Sequence, residues 1–304
     1  MYQQTIAEKV SCTGIGLHSG APTQLTLHPA RAGAGIVFVR TDLPTPVEIP
    51  ARSNQVSSTA LATTLGHGEA IVGTVEHLMA ALYGLGIDNV RIEVDGPELP
   101  VMDGSSAPFV YLLRSAGLFT QRARRCILRI RKEVSFSEGD RSIRIEPARD
   151  FRVTYAVDFD HPAIRRQQLT LAPLDAERFE REISAARTFG FLREVQALWD
   201  AGFARGGCLD NTVVLDDEKV VNEEGLRWPD EFVRHKVLDL CGDFALLGSQ
   251  VQGHVHVERG GHYLHQKLVE AILATPSAWV LVDPERRGGR GLGLSRLAAA
   301  ATRA

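Results

Sequence analysis

Glu231-Phe232-Val233-Arg234-His235-Lys236-Val237-Leu238-Asp239-Leu240-Cys241-Gly242-Asp243 decides how the rest of the chain is read. Phe232, Val233, Val237, Leu238 and Leu240, with Leu246 beyond, recur at helical intervals, so the stretch predicts a helix. Asp230, behind Pro229, is the expected N-cap, and Glu231 suits the positive end of the helix dipole. His235, Asp239 and Asp243 stand four residues apart and climb one face in successive turns. Two of them can meet one ion while the third orients something beyond it. An imidazole and a carboxylate from adjacent turns are ligands that a borderline ion such as zinc accepts. Without an ion, the same pattern describes a helix with one exposed histidine and two exposed acids.

A chain of 304 residues is long enough for two domains, each with its own core. Hydrophobic residues at 44% and charged residues at 23% describe an ordinary globular protein. With 34 basic against 37 acidic side chains and a formal charge of -3, no overall field attracts nucleic acid. The N-terminus shows no basic region followed by an apolar run, and no stretch approaches a membrane span. Cys12, Cys126, Cys208 and Cys241 are scattered without a C-x-x-C pair, which suits reduced thiols in a cytoplasm. Cys241 lies two residues past Asp239, about 200° around the helix, and should not join the ligand face.

Outward from the helix, the chain reads as an α+β order that occurs twice. In the first half, strands are expected at Thr5–Ala7, Gln24–His28, Ile36–Arg40 and Thr59–Leu65. The glycine-rich Gly14–Gly20 has neither the dinucleotide spacing nor a βαβ setting, so a hairpin turn is expected there. A helix over Val75–Tyr83 with Thr74 as N-cap, a strand at Asn89–Val94 and a helix near Ser106–Ala116 complete this half. The second half places strands at Ile127–Ile130, Ile143–Ile145 and Phe151–Val157, and a helix from Asp175 that ends before Thr188. A strand at Val255–Glu258 and a helix from His262 to Leu273 close it. The segment Phe189–Leu215, with a helix at Leu192–Trp199, and the organising helix itself are the additions that break the symmetry. The expected division is 1–121, 122–283 and a loosely attached tail, 284–304. The basic joint from Arg122 to Lys132 has no aromatic residues interleaved for base stacking, so a solvated strand edge is expected rather than nucleic-acid binding.

Glu76-His77 sits in the first turns of the first half's helix. If His77 supplies a third ligand, Glu76 points about 100° away and can reach the open position without ligating. Three protein ligands and one open position are the arrangement of catalytic zinc, which lowers the pKa of water to roughly 7. His262 follows Gly260-Gly261, and a carboxylate such as Asp243 would hold it cationic, able to protonate a leaving amine. The other histidines, His28, His67, His161, His254, His256 and His265, are expected to lack such a partner. His254 and His256 alternate on a strand and are read as strand surface; His18 borders the site at most.

Ser184-Ala185-Ala186-Arg187-Thr188-Phe189-Gly190-Phe191, Thr74-Val75-Glu76-His77-Leu78, Asp230-Glu231-Phe232-Val233-Arg234-His235-Lys236 with Asp239, and Gly261-His262 with Lys267 together resemble the bacterial UDP-3-O-acyl-N-acetylglucosamine deacetylases. The resemblance runs from Thr13-Gly14-Ile15-Gly16-Leu17-His18 to the last helix. It implies two similar α+β domains with their helices between two sheets, each domain with an insert. It also implies Zn2+ on His77, His235 and Asp239, Glu76 as general base, His262 as general acid held by Asp243, and Thr188 as donor to the oxyanion. Lys236 and Phe189 would lie against the substrate, Phe159 would stack on uracil, and Leu192, Val195, Ala204, Leu209 and Val214 would line the acyl passage. His265-Gln266 stands where the family pattern has two asparagines, Cys208-Leu209-Asp210-Asn211 differs from its counterpart, and the region before Thr74 is one residue shorter. The expectation is therefore a cytoplasmic, monomeric zinc amidase acting on an acylated UDP-amino-sugar. A zinc amidase for another acylated sugar, and a metal-stabilised nucleotide-sugar-binding regulator, are the competing readings; Glu76 beside His77 speaks against the regulator.

Overall fold

Along Gln250–Glu258 every second side chain is buried, and the same alternation runs through Val90–Val94 and Pro22–Pro29. Period-two burial of this kind makes a sheet with one wet face and one face pressed on helices. The computed structural model describes residues 1–283, so the tail 284–304, expected to be loosely attached, lies outside the described residues.

The first half runs β1 (Tyr2–Ile6), β2 (Val10–Ile15), β3 (Pro22–Pro29), β4 (Ile36–Arg40), β5 (Val47–Pro50), then β6 (Val56–Ser58), β7 (Thr64–His67) and β8 (Ala70–Val72). Helix α1 (Glu76–Gly84), β9 (Val90–Val94), α2 (Ala107–Ser115) and β10 (Leu118–Arg124) follow. The second half runs β11 (Ile127–Ile130), β12 (Val134–Glu138), β13 (Arg141–Glu146), β14 (Phe151–Phe159) and β15 (Arg165–Leu171). Then come α3 (Ala176–Glu182), β16 (Phe189–Phe191), α4 (Leu192–Asp200), β17 (Val213–Leu215), α5 (Glu231–Ala245), β18 (Gln250–Glu258), α6 (His262–Ala274) and β19 (Trp279–Val282).

The wiring repeats. β2 pairs antiparallel with β3, β3 with β9, and β4 pairs parallel with β9 and antiparallel with β5. β12, β13, β18, β14 and β15 repeat those four pairings with the same directions. The antiparallel ribbon β1–β10 has its counterpart in β11–β19, which additionally joins β18. The α+β class read from the sequence therefore holds. One expectation changes: α5 is no addition but the counterpart of α1, each lying between the fifth strand of its series and the strand that completes the sheet. The first series also has an addition, the three-stranded β6–β8, where the second has Ala176–Leu215.

Helices α1 and α5 pack on each other, and α5 also packs on β14 and β15. Eight of nine residues of α1 and thirteen of fifteen of α5 are buried. Gly242 allows the approach: a Cβ there would collide with the carbonyl oxygen of Glu76. Phe38, Leu78, Met79, Tyr155, Phe232 and Phe244 fill the surrounding core.

Local expectations fail where a side chain has tertiary work. Thr74 does not cap α1; it sits at φ +54° and its hydroxyl donates to Glu98 at 2.9 Å. Asp230 makes no cap bond either, because its carboxylate takes the Arg234 guanidinium. The expected strand Thr59–Leu65 forms only from Thr64, since Thr63 spends its backbone N–H and hydroxyl on Glu76 and Asp243. Only the first part of the basic joint is a solvated strand edge: Arg122 and Arg124 are exposed on β10, which among the described residues pairs with β1 alone, whereas β11 lies between β18 and β19 with Ile127, Leu128 and Ile130 buried, and Arg125 turns onto Asp88.

Candidate metal centre

Where α1 crosses α5, His77, His235 and Asp239 present ligand atoms that all lie within 4.8 Å of one another, and all three residues are buried. His235 Nε2 is 3.4 Å and His77 Nε2 3.9 Å from the same oxygen, Asp239 Oδ1. Ligands of one tetrahedral ion with bonds of 2.0–2.1 Å stand about 3.3 Å apart, so the triangle is slightly wider than a filled one. These are not ion pairs. Burial and the facing His235 lower the pKa of His77 to about 3, and burial lowers that of His235, leaving neutral imidazoles. Burial alone would raise Asp239, yet His235, Lys236, His262 and His77 outweigh it and hold the carboxyl well below its usual range. Asp239 Oδ1 is buried with no hydrogen-bond partner among the described residues. An orphaned carboxylate oxygen facing two neutral imidazole nitrogens is the donor set of a divalent ion. The residues fit the metal that the sequence implied.

Second contacts aim these ligands. His235 Nδ1–H donates to Ala186 O at 3.0 Å, which turns Nε2 toward Asp239. The segment carrying Ala186 is anchored by a buried pair: Arg187 Nε donates to Glu231 Oε1 at 2.9 Å, and the Arg187 backbone N–H donates to the same oxygen at 3.0 Å. Glu231 opens α5, so its carboxylate ties this helix to the segment that leads into Thr188. The Thr188 N–H donates to Gly104 O at 2.8 Å. Lys236 Nζ donates to Asp239 Oδ2 at 2.9 Å and lies 5.4 Å above the Phe189 ring.

Beside the triangle stand further buried titratable groups, Glu76, His262 and Asp243. Glu76 Oε2 accepts from the Thr63 N–H at 3.0 Å, and Glu76 Oε1 is 3.8 Å from His262 Nε2. Burial pushes Glu76 up to about 7. His262 Nδ1 donates to Asp243 Oδ2 at 2.8 Å. Burial works against its charge, but Asp243, Asp239 and Glu76 outweigh burial and raise His262 to about 9. Asp243 is in turn held at about 2: burial opposes ionisation, and His262 and His265 more than offset it.

The cleft over these groups encloses about 330 Å³ and is lined by Glu76, His77, Thr188, Phe189, Lys236 and His262 among others. Phe159 does not line it. Its ring packs edge-on against Phe189 at 5.6 Å and lies tilted against Phe191 at 6.0 Å. No residue of α4 is buried, and Leu192, Trp199, Phe203 and Leu209 are exposed, while Val195, Ala204 and Val214 are half-buried or exposed. His18 borders this insert: the Ala204 N–H reaches its Nδ1 at 3.4 Å, its ring meets Phe203 edge-on at 5.5 Å, and its Nε2 is buried without a hydrogen-bond partner among the described residues.

Sequence reading missed three contacts around Asp243 and its neighbours. Thr63 donates its hydroxyl to Asp243 Oδ1 at 2.6 Å. His265, expected to have no carboxylate partner, donates Nδ1–H to Asp243 Oδ2 at 2.8 Å, and its Nε2 meets Tyr155 Oη at 3.0 Å. His262 and His265 are three apart on α6, a spacing that puts both on one face and was the available signal. His28 also has a carboxylate partner, Glu93 at 2.9 Å, and His254 and His256 share Glu146.

The family model described as UDP-3-O-acyl N-acetylglycosamine deacetylase matches residues 3–274. A UDP-3-O-acyl-N-acetylglucosamine deacetylase from Myxococcus xanthus is 53% identical over 98% of this chain and 95% of its own length. Relatives of the same description from an Anaeromyxobacter species and from Pasteurella multocida are 52% and 46% identical, over 90% and 92% of this chain and 89% and 92% of their own.

Proposed function

The chain belongs to the UDP-3-O-acyl N-acetylglycosamine deacetylase family, and from that membership we propose how its buried cluster performs the reaction. It is an amide hydrolase that deacetylates UDP-3-O-acyl-N-acetylglucosamine in lipid A biosynthesis, and its family is one of metalloenzymes. His77, His235 and Asp239 hold the metal, for which zinc is our assignment: two imidazoles and a carboxylate suit it. When bound, such an ion supplies Lewis acidity, lowering the pKa of water and polarising a carbonyl.

The protein's own groups carry the protons. Glu76, with Oε2 fixed by the Thr63 N–H, uses its other oxygen to take a proton from the attacking water. The hydroxide oxygen adds to the acetamide carbonyl carbon, and Thr188 donates to the oxygen that gains charge. Asp243 holds His262 Nδ1–H, so the proton on Nε2 faces the cleft and passes to the departing glucosamine nitrogen as the C–N bond breaks. Acetate and the free amine leave. Lys236 and Phe189, on the cleft wall, lie against the sugar, and Phe159 stacks on the uracil. Leu192, Val195, Ala204, Leu209 and Val214 take the acyl chain, which explains an insert helix without a single buried residue. We place the reaction in the cytoplasm, by a monomer, and divide the chain into units at 1–121 and 122–283.

The observation that carries this reading is the orphaned Asp239 Oδ1 between two neutral imidazoles. The test is metal content and acetate release from UDP-3-O-acyl-N-acetylglucosamine for wild type and Asp239→Ala. The variant should lose both. An Asp239→Ala protein that keeps its metal and its turnover would overturn the assignment.

A further inference from the structure

A second set of metal-ligand side chains lies on the opposite, solvent-facing side of the second sheet. His254 and His256 alternate with the buried Val255 and Val257 on β18, so both rings leave the face away from the core. The register of β13 on β18 places Glu146 directly across from His254. The sequence alone offers only the histidine pair; the strand pairing adds the carboxylate. Glu146 Oε1 is 3.1 Å from His256 Nε2 and 3.8 Å from His254 Nδ1, and the two rings lie 3.9 Å apart with 35° between their planes. Those separations bracket the roughly 3.3 Å expected between two ligands of one tetrahedral ion.

We propose that Glu146, His254 and His256 form a second metal site that takes a late first-row divalent cation such as Zn2+. Two further features prepare it. His254 Nε2 is 3.0 Å from Thr154 Oγ1, on β14, a bond that fixes the ring and leaves Nδ1 toward Glu146. The nearby guanidinium groups leave Glu146 Oε1 clear. Arg152 pairs with Asp150, while Arg144 takes Glu146 Oε2 and Glu133, so Glu146 Oε1 is left to the imidazoles. The ion would clip β13 to β18 on their outer face, with the remaining positions open to solvent. All three ligands are half-buried, so exchange should be faster than at the enclosed cluster between α1 and α5.

Metal-free full-length protein titrated with Zn2+, with bound zinc counted by elemental analysis after gel filtration, tests the site. Wild type should bind two equivalents and the His254→Gln/His256→Gln double variant one, with the deacetylase activity of that variant at one equivalent equal to wild type. Asp239→Ala should keep the outer equivalent alone, so failure of the inner site and failure of the outer one are read separately. Glu146→Gln, which changes one atom of the side chain, should also lose the second equivalent and serves if the double variant folds poorly. One equivalent in wild type, or two persisting in Glu146→Gln, overturns the proposal.

Discussion

Helices α1 and α5 occupy equivalent places in two series of strands with the same pairings, yet they differ in what they carry. α1 is apolar beyond its first turn: only Glu76 and His77 bring chemistry, and Leu78 to Tyr83 are core. α5 brings chemistry along its whole length, from Glu231 at its start through His235 and Asp239 to Asp243, while still burying Phe232, Val237, Leu240 and Phe244. Both kinds of helix fit because most polar groups enclosed at the α1–α5 crossing are paired, Asp239 Oδ1 and His77 Nδ1 being the buried exceptions there. The difference teaches that a duplicated frame can share one centre unequally. On the proposed roles, one copy supplies the base and one ligand, and the other supplies two ligands and the support for the acid. Neither half holds the set alone.

The sharpest break of that comparison is at α1. Glu76→Ala should lower kcat by about 10²–10⁴-fold while metal content stays at wild-type level; parallel loss of metal would make Glu76 a ligand instead. The α5 side is tested through His262, which Asp243 supports. His262→Ala should lower kcat by about 10²-fold, at the weaker end of such effects, and abolish the alkaline limb of the rate profile. In wild type that limb should lie near pH 9, because the acid must be protonated, and the acid limb near pH 7, because Glu76 must be ionised. The folded pKa of His262 is above its free value of 6.5, so its contribution to stability is complete below that pH and is lost as pH rises through about 9. An unchanged alkaline limb in His262→Ala would reassign the acid.

Arg187→Ala leaves Glu231 charged and buried at the start of α5 and should cost about 3–5 kcal/mol in denaturant unfolding. A loss below about 1 kcal/mol, the range of an exposed pair, would show that the anchor of the Thr188 segment lies elsewhere. Gly242→Ala puts a methyl against the Glu76 carbonyl and should destabilise by about 1–3 kcal/mol. It should also reduce turnover more than a methyl on the protein surface does, since α1 must move away from α5; unchanged stability and rate would show that the crossing has slack.

Much of this was legible locally. The helix over Glu231–Asp243 follows from apolar period, and the alignment of His235, Asp239 and Asp243 from a spacing of four; both depend on one segment's own geometry. The hairpin at Gly14–Gly20 and the start of a helix at Asp175 are likewise short-range. What misled the reading were residues with two possible uses. Thr63, Thr74 and Asp230 have the local propensities of strand or cap, and each is drawn instead to a distant or neighbouring charged side chain, because a charged group gains more from a hydrogen-bond partner than a helix end does.

Sequence by itself determined the α+β class, the amphipathic segments and the residue types able to bind a metal, since these follow from periodicity and chemistry within a few residues. Only the tertiary structure decided that α5 answers α1, that His265 and Thr63 grip Asp243, and that Glu146 faces His254. Such contacts join positions up to 180 residues apart, and the crossing of two helices or the register of two strands sets them, not any pattern either segment shows alone.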